Sequence, residues 1–440
     1  MISGDTIAAI ATAPGRGGVA VVRVSGSEAF AIGERLTGRV GIGRSRHASI
    51  GVGPIYSAPA DACRHFSTPI DTGVLLAFKS PHSYTGEDVV EFQCHGGTVT
   101  PRRVLAACLA AGARLARRGE FTERAFLNGR LDYAQAESVL DLIDAKTVRA
   151  ADAALEGLSG RRLRETRALY EQSLDLSTRL EHALDIDEGE LPDDFLPSVM
   201  SSVSRLESSL RDAVRHAAEG RLLRSGALVV LAGPPNAGKS SLLNALLEEN
   251  RAIVSDVPGT TRDSIEAWLD LEGWPIRLVD TAGLRESKDE IEGEGVRRSE
   301  ELLSKADVVV WLSGSSSLVP YPSSLLVHPK CDLGCGAGLN VSAKTGEGLE
   351  DLKRAIVAKL EEKVAVSDDG DVPEGDIVAF QEALAALGRG REPREVRYGE
   401  DLVLMANSVR AASERLGEAI GATYSSDMLD NLFSRFCVGK

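Results

Sequence analysis

The chain has 440 residues, of which 43% are hydrophobic and 26% charged, and its formal net charge is -15. That length exceeds one ordinary core and calls for about two to four domains, and the acidic balance excludes a protein whose whole surface binds nucleic acid. No stretch approaches ~18 uninterrupted apolar residues, and the start "MISGDTIAAIATAPGRGG" lacks a basic region before a long apolar run, which excludes a membrane role and predicts a cytoplasmic protein. Cys63, Cys94, Cys108, Cys331, Cys335 and Cys437 follow no framework spacing, as suits a reducing compartment. Cys331 and Cys335 have no second Cys/His pair at zinc-ligand spacing.

Residues 1–118 alternate short β-rich runs, "GVAVVRVSG", "TGVLLAF" and "DVVEFQCHGG", with turns. They predict an α+β domain with antiparallel pairing. From 119 to 222 the period becomes helical, with Val139, Leu140, Leu142 and Ile143 and then Leu169, Leu174, Leu176 and Leu180 at apolar positions, punctuated by "LPDDFLPS". "ALVVLAG" opens an alternating βα region, taken as 223–365, and after the acidic linker "VSDDGDVPEGD" residues 366–440 are helical again. Neither helical stretch makes a good domain alone. The order therefore predicts one discontinuous helical bundle from which an α/β domain loops out, a multidomain α/β and α fold. Basic stretches at 102–130, 160–167 and 215–224 read as solvated helix faces or as docking strips. The chain closes on "SRFCVGK", an apolar patch followed by a thiol, a glycine and a cation, where most termini are polar and mobile.

"GPPNAGKS" (233–240) fits G-x-x-x-x-G-K-[ST], follows an apolar strand and opens the helix "KSSLLNALL". Glycines let backbone N–H groups wrap phosphates, Lys239 reaches the terminal oxygens, and the Ser240 hydroxyl suits Mg²⁺. "IRLVDTAGL" puts Asp280 at a strand end, where a carboxylate can hold Mg²⁺ through water, and Gly283 where its N–H can sense a γ-phosphate. "PGTTRD" supplies Thr261 as a second Mg²⁺ ligand on a switch loop. "NVSAKTGEGL" adds Ser342, Ala343 and Lys344 beside the base. The order indicates a GTPase. The GTP-contacting set expected is Asn236, Ala237, Gly238, Lys239, Ser240 and Ser241; Ser255, Asp256, Val257, Pro258, Gly259, Thr260 and Thr261; Asp280, Thr281, Ala282 and Gly283; Lys330, Asp332, Ser342, Ala343 and Lys344.

The base-reading element departs from pattern. GTPases carry N-K-x-D, and "HPKCD" has Pro329 where Asn belongs, keeping Lys330 and Asp332. Asp332 can accept from guanine N1–H and the 2-amino group, a pair adenine lacks, so guanine selection with weakened affinity is expected. Pro329 has no side-chain amide for guanine N7 or for a tie to the P-loop. After Gly283 stands Leu284, which cannot orient water as the Gln of Ras-type enzymes does. Positive charge then has another source. Asn236, with backbone carbonyls of "SDVPGTT", could hold K⁺ where an arginine finger usually reaches, or Asn236 is a tolerated polar residue.

"DTIAAIATAPGRGGVAVVRVSG", "YTGEDVVEFQCHGG", "RRGEFTERAFLNGRLDYAQAESVLDLIDA", "GPPNAGKSSLLNAL", "VSDVPGTTRD", "DTAGLRES" and the terminal "FCVGK", in one order over essentially the whole chain, resemble the MnmE (TrmE) family of bacterial and organellar GTPases of tRNA wobble-uridine modification. The resemblance implies an N-terminal folate-binding domain that homodimerises, a discontinuous helical domain and an inserted G domain with K⁺-dependent turnover. It implies Asn236, Ser255, Val257 and Thr260 as K⁺ ligands, Ser240 and Thr261 as Mg²⁺ ligands, and Glu292 as the residue orienting water. It implies Arg23, Glu91, Arg130 and Lys440 as contacts of 5,10-methylenetetrahydrofolate or 5-formyltetrahydrofolate. A carboxylate suits a pterin's amino edge and arginines an anionic tail. It also implies an FAD-bearing partner, MnmG (GidA), in a heterotetramer, with tRNA as substrate and a carboxymethylaminomethyl or aminomethyl group added at uridine C5. Cys437 would lie near the one-carbon donor and could add to C6 of uridine; the alternative is that the partner supplies the nucleophile. The competing class is a regulatory, RNA-binding GTPase of ribosome assembly without modification activity, which would not need the N-terminal domain or the terminal cysteine.

Overall fold

The structure is a computed structural model that describes residues 4–44, 48–57, 68–186, 190–249, 266–280, 300–313, 324–366, 376–389, 400–421, 429 and 432–440. The chain divides into two compact units, Met1–Leu140 with Thr423–Lys440, and Asp141–Ala422. No helix among the described residues is long and apolar enough to cross a membrane.

The first unit is built on a six-stranded sheet of β1 (Ile7–Ile10), β2 (Val19–Ser25), β3 (Ala48–Tyr56), β4 (Pro69–Phe78), β5 (Val89–His95) and β6 (Arg114–Leu115), in the order β3-β4-β5-β2-β1-β6. Alternation sorts its faces. Val22, Val24, Val90 and Phe92 point to one side, where Ile32 and Leu36 of the helix Ala29–Thr37 and Val104 of the helix Thr100–Ala110 close a core. Arg23 and Glu91, paired in register, point to the other. The sheet is antiparallel as expected except that β6 runs parallel to β1. The physical reason is the helix Thr100–Ala110 between β5 and β6, which acts as a crossover and returns the chain in the same direction.

Residues 432–440 belong to this unit although they close the chain. Leu432, Phe433 and Phe436 bury against Ala136 and Leu140 of the helix Tyr133–Asp144. Val438 bridges Arg118, and the N–H of Phe121 donates to the Lys440 carbonyl at 3.3 Å. Gly439 makes this seat possible, because at φ 106 an added Cβ would stand 2.2 Å from the Ile10 carbonyl oxygen.

In the second unit the helices Arg161–Leu184, Phe195–Ser225, Asp376–Arg389 and Glu400–Gly421 share one core, with Leu176, Leu180, Leu206, Leu210, Phe380 and Leu416 among its members. Residues on both sides of the α/β region thus form one bundle, as the sequence order predicts. The helical period holds, but not every apolar position faces inward: Leu142, Ile143 and Leu174 are exposed. The inserted sheet comprises β7 (Ala227–Ala232), β8 (Glu266–Leu271), β9 (Trp274–Asp280), β10 (Val308–Leu312), β11 (Ser324–Pro329) and β12 (Leu339–Val341), ordered β12-β11-β10-β7-β9-β8. All pairs are parallel except the β8–β9 hairpin. Its turn residues Glu272 and Gly273 sit at φ 52 and 87, the left-handed pair that a tight hairpin requires. β7 is buried at all six positions, which is why "ALVVLA" reads as an unbroken apolar run.

The hairpin is held to neighbouring helices. Thr147, the N-cap of the helix Val148–Leu158, donates its hydroxyl to the Gly273 carbonyl at 2.7 Å. The Arg149 guanidinium lies 4.2 Å from the centre of the Trp274 ring and bonds Glu219 at 2.5 Å.

Candidate functional site

β7 delivers the chain into the loop 233–238, and the helix Lys239–Glu249 leaves it. Only glycine fits at 233, since at φ 144 a Cβ would meet the Leu312 carbonyl oxygen at 2.4 Å. Asn236 and Gly238 also take positive φ, 62 and 95, so the backbone curls, and the Ala237 N–H donates back to the Pro234 carbonyl at 3.3 Å. Lys239, 7% exposed, donates from Nζ to the carbonyls of Gly233 and Pro234 at 3.0 Å each, which holds its ammonium over the loop. Ser240 Oγ donates to Asp280 Oδ2 at 2.7 Å; Asp280 ends β9 and pairs with Leu231 of β7. A hydroxyl and a carboxylate meeting this closely form an oxygen-only donor set that fits Mg²⁺.

Beside the loop is a cavity of about 310 Å³, its wall including Pro329, Lys330, Asp332, Ser342, Ala343 and Lys344. Buried Ser342 donates from Oγ to Asp332 Oδ1 at 2.8 Å and thereby orients that carboxylate. Lys330, in the left-handed region at φ 59, reaches back from Nζ to the Asn236 carbonyl at 3.2 Å. A tie between the base-side loop and the P-loop therefore exists, made by Lys330 where Pro329 can make none. Ser255, Asp256, Val257, Pro258, Gly259, Thr260, Thr261, Thr281, Ala282, Gly283 and Glu292 lie outside the described residues. Of the expected K⁺ ligands only Asn236 is described, and of the expected Mg²⁺ ligands only Ser240.

In the first unit Arg23 Nε donates to Glu91 Oε1 at 2.8 Å. The guanidinium stands 5.3 Å from the ring centre of Tyr84 and 5.6 Å from that of Phe121. Burial pushes the Tyr84 hydroxyl's pKa up, against the opposing bond from Thr122 and the charge of Arg23. The Lys440 carbonyl accepts from the backbone N–H of Phe121, whose ring Arg23 faces. Cys437 is exposed, its carbonyl accepting from Gly119 N–H at 3.5 Å. Arg130 lies against Gly86, where a Cβ would meet its Cγ at 3.2 Å. A carboxylate held by an arginine fits a pterin's amino edge, while Phe121, 0% exposed, packs behind them and offers no ring to a ligand.

Two polar clusters escaped the reading of the sequence. Arg124 is 4% exposed and donates to Asp5 Oδ1 at 2.8 Å, Glu87 Oε2 at 3.1 Å and Glu120 Oε1 at 3.1 Å. Arg114 bonds Asp5 and Glu120 at 2.7 Å each. Burial alone would raise the Glu120 pKa, but the bonds from Arg114, the Arg117 N–H and Arg124 outweigh it and hold it at about 2. These arginines of the 102–130 stretch brace the helix Glu120–Leu127, which carries Phe121, so the solvated-face and docking-strip readings fail for Arg124. The local signals are Arg117 and Glu120 three apart and Glu120 and Arg124 four apart. The second cluster is Asp71, whose Oδ2 accepts from His95 N–H and whose Oδ1 lies 2.8 Å from His95 Nδ1. Burial raises the Asp71 pKa, yet these bonds leave it below the ordinary value. No spacing links residues 24 apart on neighbouring strands.

Residues 6–130 match the family described as GTP-binding protein TrmE N-terminus, and residues 133–437 match the MnmE helical domain. A tRNA modification GTPase MnmE of Xanthomonas campestris pv. campestris (strain B100) is 42% identical over 460 residues, covering 100% of this chain and 99% of its own. The protein of that name from Symbiobacterium thermophilum is 40% identical over 465 residues, covering 99% of each. Among solved structures, the G domain of the T. maritima FeoB iron transporter is 29% identical and covers 30% of this chain and 98% of its own, at a TM-score of 0.23, too low to bear on the fold.

Proposed function

The chain belongs to the MnmE (TrmE) family, and on that premise we propose that it is an enzyme that hydrolyses GTP in the service of tRNA modification. The observation that carries the reading is the contact of Ser240 with Asp280 at 2.7 Å, under a loop whose lysine is folded over its mouth. A hydroxyl and a carboxylate at the strand end are what a Mg²⁺–triphosphate needs. Asp332, oriented by Ser342, is the acceptor for guanine.

The finer reading follows the family. GTP is bound with Mg²⁺ held by Ser240 and Thr261, and with K⁺ held by Asn236, Ser255, Val257 and Thr260. Glu292 orients water. Arg23, Glu91, Arg130 and Lys440 bind a tetrahydrofolate derivative, whose role is to supply one carbon. Arg23, near the Tyr84 and Phe121 rings and paired with Glu91, supports that assignment because a carboxylate fixed in this way can receive a pterin's amino edge. The protein acts as a homodimer in the cytoplasm, with the FAD-bearing MnmG, on the wobble uridine of tRNA. Its domains divide near residues 118, 222 and 365, and Cys437 serves the folate-side chemistry. Two measurements test this. Turnover of GTP in K⁺ should exceed that in Na⁺ by at least tenfold, and equal rates would remove the alkali-metal role. Nucleosides of tRNA from cells lacking the gene should lose the C5-substituted uridine, and an unchanged profile would overturn the modification reading.

A further inference from the structure

We propose that the base pocket makes no hydrogen bond to guanine N7 and selects guanine through its N1–H and 2-amino edge. The inference rests on the GTP reading above and adds which atoms of the base are recognised. Guanine N7 is an acceptor and can be read only by a donor. The Asp332 carboxylate only accepts, so it takes the N1–H and 2-amino edge, and N7 then lies on the far side of the ring system. The cavity is also lined by Gly238, Ser241, Leu242, Val327, Pro329, Leu333 and Val341, of which only Ser241 carries a side-chain donor. Pro329, standing where a donating amide belongs in N-K-x-D, has neither a side-chain donor nor a backbone N–H.

Two of the described side-chain donors in this lining are directed elsewhere. The Ser342 hydroxyl is given to Asp332 Oδ1 at 2.8 Å, and the Lys330 ammonium to the Asn236 carbonyl at 3.2 Å. Ser241 and Lys344 are exposed at the rim. Pro329 also ends β11 opposite Val341, so its backbone is fixed by the sheet and does not bring another group into its place. The Lys330 bond keeps the loop tied to the P-loop, so the amide's loss removes a contact without unhooking the pocket.

The test is competition against a fluorescent GDP analogue on the full-length chain, using GDP, 7-deaza-GDP and IDP. GDP and 7-deaza-GDP should compete within threefold of each other, and IDP, which lacks the 2-amino group, should be at least tenfold weaker. In Pro329→Asn, GDP should gain about fivefold over 7-deaza-GDP, as one neutral hydrogen bond to N7 would supply. A wild-type preference for GDP over 7-deaza-GDP of more than threefold overturns the inference and leaves the GTPase reading standing, as does IDP competing as well as GDP. Failure of the fluorescent GDP to bind overturns both. Should Pro329→Asn not fold, the wild-type comparison decides alone.

Discussion

Glu120 illustrates how much one side chain can hold. It is 2% exposed and its pKa is held at about 2 by Arg114, the Arg117 N–H and Arg124, against an ordinary value of 4.5. A carboxylate depressed in the folded state contributes stability that is present above the ordinary value and is lost as pH falls from there toward 2. Denaturant titrations of the full chain between pH 5 and pH 2, reading the first unit, should therefore show stability falling by roughly 3 kcal/mol through this group. In Glu120→Gln that part of the slope should vanish, and the variant should be about 2 kcal/mol less stable at pH 7 because Arg124 and Arg114 lose a buried partner. An unaltered acid slope would show that the network is not the source. The arginines themselves were legible as a basic stretch in the sequence. That Arg124 is buried was not, because burial here depends on Asp5 and Glu87, 119 and 37 residues away.

Among the elements, the C-terminal segment and the β8–β9 hairpin carry the clearest consequences. Phe436, 0% exposed, and the tight seat of Gly439 against Ile10 fix the last residues to the first unit. Gly439→Ala puts a Cβ into the Ile10 carbonyl and should unseat Lys440 and Cys437. Carboxypeptidase should then trim the variant faster than the wild type, while its GTP turnover stays unchanged and modified uridine in tRNA falls severalfold. Retained modification would separate the tail from the chemistry. For the hairpin, Arg149 stacks on Trp274 and pairs with Glu219, so Arg149→Ala should lower the stability of the second unit by about 1 kcal/mol, read by chemical denaturation. The strands of this region were visible as an alternating βα pattern, but the helix that grips the turn was not, since nothing in "TVRAADAALEG" names a tryptophan 125 residues later.

For the molecule as a whole, the division into two compact units with separate cores predicts two thermal transitions in calorimetry. If the proposed nucleotide site lies in the second unit, GDP at ~100 times its dissociation constant should stabilise that unit by about 2.7 kcal/mol and move its transition alone. A shift of both transitions, or of neither, would contradict the placement of the nucleotide site.

By itself the sequence determined the order of the parts: an alternating sheet at the start, helical segments on either side of a strand–loop–helix phosphate motif, and the residues of that motif. These features are local. A strand alternates, a helix repeats and a phosphate loop needs its glycines within a few residues, so short windows suffice. Only the tertiary structure decided that Lys440 reaches Phe121, that Arg124 pairs with Asp5 in the interior, and that Lys330 ties the base-side loop to Asn236. Those pairings join residues up to hundreds apart, and which partners meet is set by how whole layers pack rather than by any spacing along the chain.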